Sequence, residues 1–185
     1  DALVGSWDDY RYLANNYYLY HDPVSDMFEF IPYDYDNTLG IDFISRDWGT
    51  RDLNDWDRHG HPRPLSTRIL EVPRYRRLYN QYVADFSATH FTPAAMEQRA
   101  AALTSLVQSA AEADYASVSH DWGYTAADFN QSLHAPAHYD GSPPVTYGIV
   151  PYVSTRVAHV QAQLDPLIIG LNEVVLSNVS DVADE

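Results

Sequence analysis

The chain contains no cysteine and no lysine. Without thiols it makes no disulfide, no zinc–thiolate centre and no cysteine nucleophile. Without lysine, all 11 basic residues are arginine, and the side chain that usually grips nucleotide phosphates is lacking. Positive charge is scarce in general: 26 acidic residues leave a formal net charge of -15. Such a field repels phosphate backbones, so nucleic acid is excluded as a partner unless metal ions intervene. An acidic, lysine-free surface suits a saline or extracellular setting. No apolar run approaches the ~20 residues of a membrane span, and no repeat recurs at a period of 20–50 residues. No leader peptide is visible, but the chain opens Asp1-Ala-Leu and closes Ala183-Asp-Glu185. Both ends read as cut, so the missing leader says nothing about secretion.

What is present is core material. Apolar residues make up 45% of the chain, with 15 Tyr and 4 Trp, enough for burial to outweigh ordering entropy. Asn16-Tyr-Tyr-Leu-Tyr20 and Met27-Phe-Glu-Phe-Ile31 alternate as strands do, and His21 to Asp26 has turn chemistry. Together they predict a β-hairpin. Ile41 to Pro64 reads as a long irregular loop, in which Asp47, Asp52, Asp55 and Asp57 form a solvated acidic run and His59 and His61 are exposed. Helices follow. One covers Leu65 to Glu71, and another opens at Pro73 with a Tyr75–Tyr82 stripe expected in the core. Thr92-Pro93 opens an Ala-rich helix to about Tyr115, and Thr125 caps a short one. Ile149, Val153, Val157, Val160 and Leu164 mark a last amphipathic helix, ending before Asp165-Pro166. On it, Arg156 is expected to pair with a carboxylate. The fold class is α+β: a hairpin, an acidic loop, then a mainly helical bundle.

Chemistry concentrates between Trp7 and Gly40. Asp8 and Asp9 precede the first strand, Asn16 stands at its start, and Asp34 and Asp36 follow the second strand. Acidic groups at the ends of paired strands converge on one point. Asp34 and Asp36 are two apart, so extended backbone puts both on one face. Two carboxylates so close repel unless a cation or proton lies between them. Oxygen-only ligands favour Mg²⁺, Mn²⁺ or Ca²⁺ over zinc. Phosphoryl transfer of the protein-kinase type needs one Asp for the attacking hydroxyl, plus an Asn and a second Asp for metal at the nucleotide phosphates. Asp8, Asn16 and Asp34 occur in that order. A calcium loop from Asp34 fails the EF-hand pattern, since Leu39 stands at the glycine position and Ser45 at the bidentate Glu position.

Several segments resemble the CotH (spore coat protein H) kinase family. Ser6-Trp-Asp-Asp9 with Asn15-Asn-Tyr-Tyr-Leu-Tyr20 is similar to that family's Asn-Trp-Asp and His-Asn-Tyr-Tyr-Leu-Tyr. Phe30-Ile-Pro-Tyr-Asp-Tyr-Asp36, with Gly40 after it, resembles its Ile-Pro-Trp-Asp-Leu-Asp. Pro64 to Leu70, Tyr75 to Tyr79, and Gly148 to Leu164 resemble its later helices. The resemblance implies a kinase-like C-lobe over residues 1–165 whose hairpin carries the active site, with the N-terminal nucleotide-binding lobe outside this chain. It implies Asp8 as catalytic base, with Asp9 as the alternative, and Asn16, Asp34 and Asp36 as metal ligands. The implied reaction is Mg²⁺- or Mn²⁺-dependent transfer from ATP to Ser or Thr of a bacterial surface or secreted protein, with the isolated piece inactive. Asn15, Tyr33 and Ser6 depart from the family's His, Trp and Asn, and none of these changes removes a carboxylate. Residues 166–185 read as a linker and the opening of a lamin-tail β-sandwich, on Gly170-Leu-Asn-Glu-Val-Val-Leu-Ser-Asn178. The alternative is a non-catalytic scaffold, a pseudokinase or a Ca²⁺-binding surface module.

Overall fold

A computed structural model describes residues 1–42, 44, 46–115, 124–137 and 145–168. The fold is α+β. Strands β1 (Tyr17–Asp22) and β2 (Met27–Pro32) pair antiparallel, with Tyr17 opposite Pro32 and Asp22 opposite Met27. The Asp22 carboxylate makes the turn, accepting from Val24 N–H at 3.0 Å and Ser25 Oγ at 2.6 Å. Asp26 completes it with a left-handed φ of 56°. At the open end Tyr33 N–H donates to Asn16 O at 3.1 Å. The residues entering β1 and leaving β2 are therefore held side by side.

Five helices follow among the described residues: α1 (Pro64–Glu71), α2 (Pro73–Thr89), α3 (Pro93–Tyr115), α4 (Ala126–Gln131) and α5 (Ile149–Ile168). A proline opens each of the first three, where its missing N–H has no intrahelical partner to lose. Thr92 Oγ accepts from Ala95 N–H. Thr125 and Asp128 form a reciprocal capping box on α4. Helix α5 runs past the Asp165-Pro166 stop expected of it. Pro166 falls in the last turn, where it breaks one bond at most instead of a continuing ladder.

The long loop before α1 supplies the core. Trp48, Leu53 and Trp56 are buried beside Leu3, Trp7 and Tyr12 of the N-terminal segment, with Tyr152, Val153, Val160 and Leu164 of α5. Helix α5 packs against α2 and α3. The acidic run is thus not simply solvated. Asp57 pairs with buried Arg11 at 2.6 Å and accepts from Ser66 Oγ, while Asp47 accepts from Thr50 and Tyr147. His59 is exposed, as expected, beside Asp55.

Two other expectations are corrected. Of the α2 stripe, Val83 reaches the core and Tyr79 packs partly against it, whereas Tyr75 and Tyr82 are 48% and 65% exposed. Core space on that side is taken by loop tryptophans and α5. Arg156 is fully buried and pairs with no carboxylate among the described residues: it donates to the carbonyls of Ala2 and Arg51, and lies over the Trp56 ring at 5.1 Å. A guanidinium is weakly hydrated and has a planar fork, so carbonyls and a π-face can take the place of an acid. Arg51 is likewise set against Tyr12, Trp48 and Trp56.

Candidate active site

Three clamps fix the segment that carries Asp8. Trp56 Nε1 donates to Ser6 O at 2.9 Å, and Trp7 Nε1 donates to Ile41 O at 2.8 Å. Arg63, itself buried, donates to the carbonyls of Arg11 and Tyr12 at 3.0 and 2.7 Å. Just beyond the last clamp the chain turns sharply, using left-handed backbone at Ala14 (φ 58°) and Asn16 (φ 51°). Such residues are strained and cluster at functional sites.

The two adjacent aspartates face opposite ways. Asp9 points inward: it is buried, its Oδ1 accepts from Tyr12 N–H at 2.9 Å, and its backbone carbonyl accepts from Leu13 and Asn15. Burial pushes its pKa up to about 6, although the Tyr12 N–H pulls the other way. Oδ2 of Asp9 has no hydrogen-bond partner among the described residues. It is a turn organiser.

Asp8 points outward into a set of amides. Asn15 Nδ2 donates to Oδ1 at 2.9 Å. Asn16 Nδ2 donates to the Asp8 carbonyl at 2.9 Å and to Oδ2 at 3.2 Å, and Asn37 Nδ2 reaches Oδ2 at 3.3 Å. The expected pair Asp8 and Asn16 is therefore in direct contact. Asn37 was not among the expected residues; its only signal was an amide one position beyond Asp36. Asn15, at the family's His position, is another amide donor to Asp8.

Asp34 and Asp36 lie on the loop after β2. Asp34 is exposed and left-handed (φ 57°), and neither carboxylate accepts a hydrogen bond among the described residues. Asp34 and Asp8 both act on Tyr33. Its phenol pKa is raised first by neighbouring Tyr18, stacked at 4.9 Å, and further by the two carboxylates. Among the described residues no three acids or histidines are gathered closely enough to hold a metal ion. The expected set has two carboxylates and one amide. Its chemistry fits a hard divalent cation, since Asp34 and Asp36 have no competing donors and Asn16, its nitrogen turned to Asp8, keeps a free amide oxygen.

No pattern in the sequence marks Asp42. It is buried and accepts from Ile44 N–H, Arg46 N–H and Trp48 Nε1, so it shapes the loop that carries Trp48. The hairpin stands out from the body. Tyr17 and Phe30 pack on Tyr10, while Phe28, Met27 and Tyr18 are 72%, 64% and 60% exposed. Among the described residues no helix is long and apolar enough to cross a membrane. Of the two glycosylation-type patterns, Asn130-Gln-Ser132 lies at the end of α4. Asn178-Val-Ser180 and the lamin-tail resemblance lie outside the described residues.

Comparison with curated proteins and with solved structures finds no match. The sequence model of the family described as "CotH kinase protein" matches residues 1–135. That span takes in Asp8, the three amides around it, the hairpin, Asp34, Asp36 and helices α1 to α4, and it stops short of α5. With well over half its length matched, and with the site inside the match, the chain belongs to the CotH kinase family.

Proposed function

We propose that this site transfers the γ-phosphoryl group of ATP to a Ser or Thr hydroxyl of a surface or secreted protein. The observation that carries the reading is the convergence on Asp8 of amides from both flanks of the hairpin, Asn16 before β1 and Asn37 after β2. Kinases in general use ATP and a divalent metal. In this proposal Asp8 is the base. It orients the acceptor hydroxyl and takes its proton as the new O–P bond forms and the bridging oxygen leaves with ADP. Asn15 and Asn37 hold the carboxylate so that it meets the hydroxyl without a rotamer search. Mg²⁺ or Mn²⁺, held by Asn16, Asp34 and Asp36, would neutralise charge on the phosphates. No lysine is available for the remaining phosphate contacts, so an additional nucleotide-gripping lobe would supply them. The exposed apolar side chains of the hairpin offer that lobe a packing face.

The test is Mg²⁺-dependent transfer of ³²P from ATP by the full-length protein, lost in Asp8→Ala and in Asp34→Ala and abolished by EDTA. Transfer that persists in both variants refutes the assignment. A scaffold that holds Ca²⁺ through Asp34 and Asp36 is the second reading, favoured by the absence of lysine. Tight Ca²⁺ binding with no response to ATP would decide for it.

A further inference from the structure

The loop after β2 does more than serve the site above. Asn37 turns its amide to Asp8. Asp36, Leu39 and Ile41 of the same loop wall a cavity of about 280 Å³, lined also by Phe129 of α4, Val145, and Ile149 at the start of α5. Backbone contacts pin the cavity's walls together. Ile41 pairs with Val145 in an isolated antiparallel bridge, Thr146 N–H donates to Gly40 O at 3.2 Å, and Leu39 N–H donates to Val4 O at 2.9 Å. Gly40 sits at φ 102°, and a Cβ there would meet the Tyr147 Cβ at 3.0 Å, so the loop's approach to that wall depends on glycine.

We propose that this cavity receives an apolar side chain, of leucine or phenylalanine size, from the acceptor polypeptide, close in sequence to the residue that is phosphorylated. The inference rests on the kinase reading and deepens it. Three observations favour this occupant. The lining is mostly carbon, so a polar group entering it would give up water for few partners. At about 280 Å³ the cavity is at the small end of ligand sites and has room for one leucine or phenylalanine side chain. It also shares its wall with the reaction centre. Asp36 is two residues from Asp34, at most about 7 Å along the chain, so a bound peptide reaches both places within two or three residues. A pocket that selects by apolar burial gives moderate discrimination, about 10- to 100-fold.

The experiment uses the full-length protein and heptapeptides with a central Ser in an Ala/Gly background. Four of them carry one Phe, two or three residues before or after the Ser, and the parent carries none. Transfer from ATP is read as kcat/KM. Methyl NMR of Leu39, Ile41 and Ile149 reads occupancy without ATP. The expected result is a 10- to 100-fold preference for at least one Phe peptide, with shifts in those methyls on its addition. Ile149→Trp, which fills the cavity, is expected to bring the preference ratio close to one; Val145→Phe serves if the first variant does not fold. Equal transfer to all five peptides without methyl shifts overturns the cavity proposal and leaves the kinase reading standing. Methyl shifts with no transfer to any peptide overturn the kinase reading, and with it the cavity's part in acceptor choice.

Discussion

Asp9→Asn separates the two adjacent aspartates by thermodynamics as well as by rate. Folding buries the Asp9 carboxylate and lifts its pKa from near 3.8 to about 6. A carboxyl whose folded pKa is raised binds protons more tightly in the native state than in the unfolded one. Its contribution is therefore most favourable below pH ~4 and is lost as pH rises through 6. At about 1.4 kcal/mol per unit, the full loss above pH 7 is about 3 kcal/mol, of which about 2 kcal/mol falls between pH 4.5 and 8. Asparagine stays neutral and keeps an oxygen for Tyr12 N–H, so it carries none of this dependence. Its amide nitrogen replaces Oδ2, which already lacks a partner, and that fixed cost offsets part of the gain at every pH. Urea unfolding of both proteins across this range is the assay, read as the difference between variant and wild type. That difference should move by about 2 kcal/mol in favour of Asn as pH rises from 4.5 to 8. A difference that stays flat to within about 0.5 kcal/mol refutes the buried, proton-holding Asp9. In the transfer assay Asp9→Asn should retain activity at neutral pH while Asp8→Asn does not; the opposite result would reassign the base.

Three further outcomes follow from the same geometry. Gly5→Ala should cost more than about 3 kcal/mol, because φ is +76° and the new methyl runs into the Tyr152 phenol, whose Cζ lies at 2.8 Å. Adding Tyr152→Phe should recover part of that loss in a thermal melt, and no recovery would place the strain elsewhere. Arg156→Lys should destabilise by about 2 kcal/mol or more despite the retained charge, since an ammonium cannot span the Ala2 and Arg51 carbonyls while covering Trp56; urea midpoints check this. Asn37→Asp should lower transfer more than Asn37→Ala, because it sets a like charge against Asp8 Oδ2. Equal kcat values for the two would remove Asn37 from the positioning of Asp8.

The hairpin and the helices were readable because their signals are local. Alternation over Asn16–Tyr20 and Met27–Ile31, the prolines Pro73 and Pro93 opening two helices and the Thr125 cap each describe one element without reference to any other. Strand pairing explains why Asn16 and Tyr33 lie side by side, whereas the contact of Asp8 with Asn16 comes from the turn before β1, which no periodicity marks. Helix periodicity, in contrast, says that Tyr75, Tyr79, Tyr82 and Val83 share a face, but not which of them a neighbour will cover. The answer lay in Trp48, Leu53 and Trp56, in a segment with no period at all. For Arg156 on the last helix a carboxylate partner is the ordinary expectation. Nothing short of the fold says that two carbonyls and an indole are waiting at that position. Asn37 acts through one side-chain bond and Asp42 through three, and contacts of this kind leave no pattern in sequence.

The rigidity of this site comes from side chains holding backbone more than from regular structure. The Asp8 segment is neither helix nor strand, and it includes two left-handed non-glycine residues that would relax if released. Trp56 holds Ser6, Trp7 holds Ile41, Arg63 holds residues 11 and 12, and Arg156 holds Ala2. Each clamp is a long, flat donor that reaches a carbonyl while burying its own apolar or π surface. Lysine reaches as far but has neither the plane to stack nor the fork to span two carbonyls. Arginine and tryptophan thus take, in the body of the protein, the structural load that a strand or helix would carry. The strained turn between Asp8 and Asn16 is left free to face the chemistry.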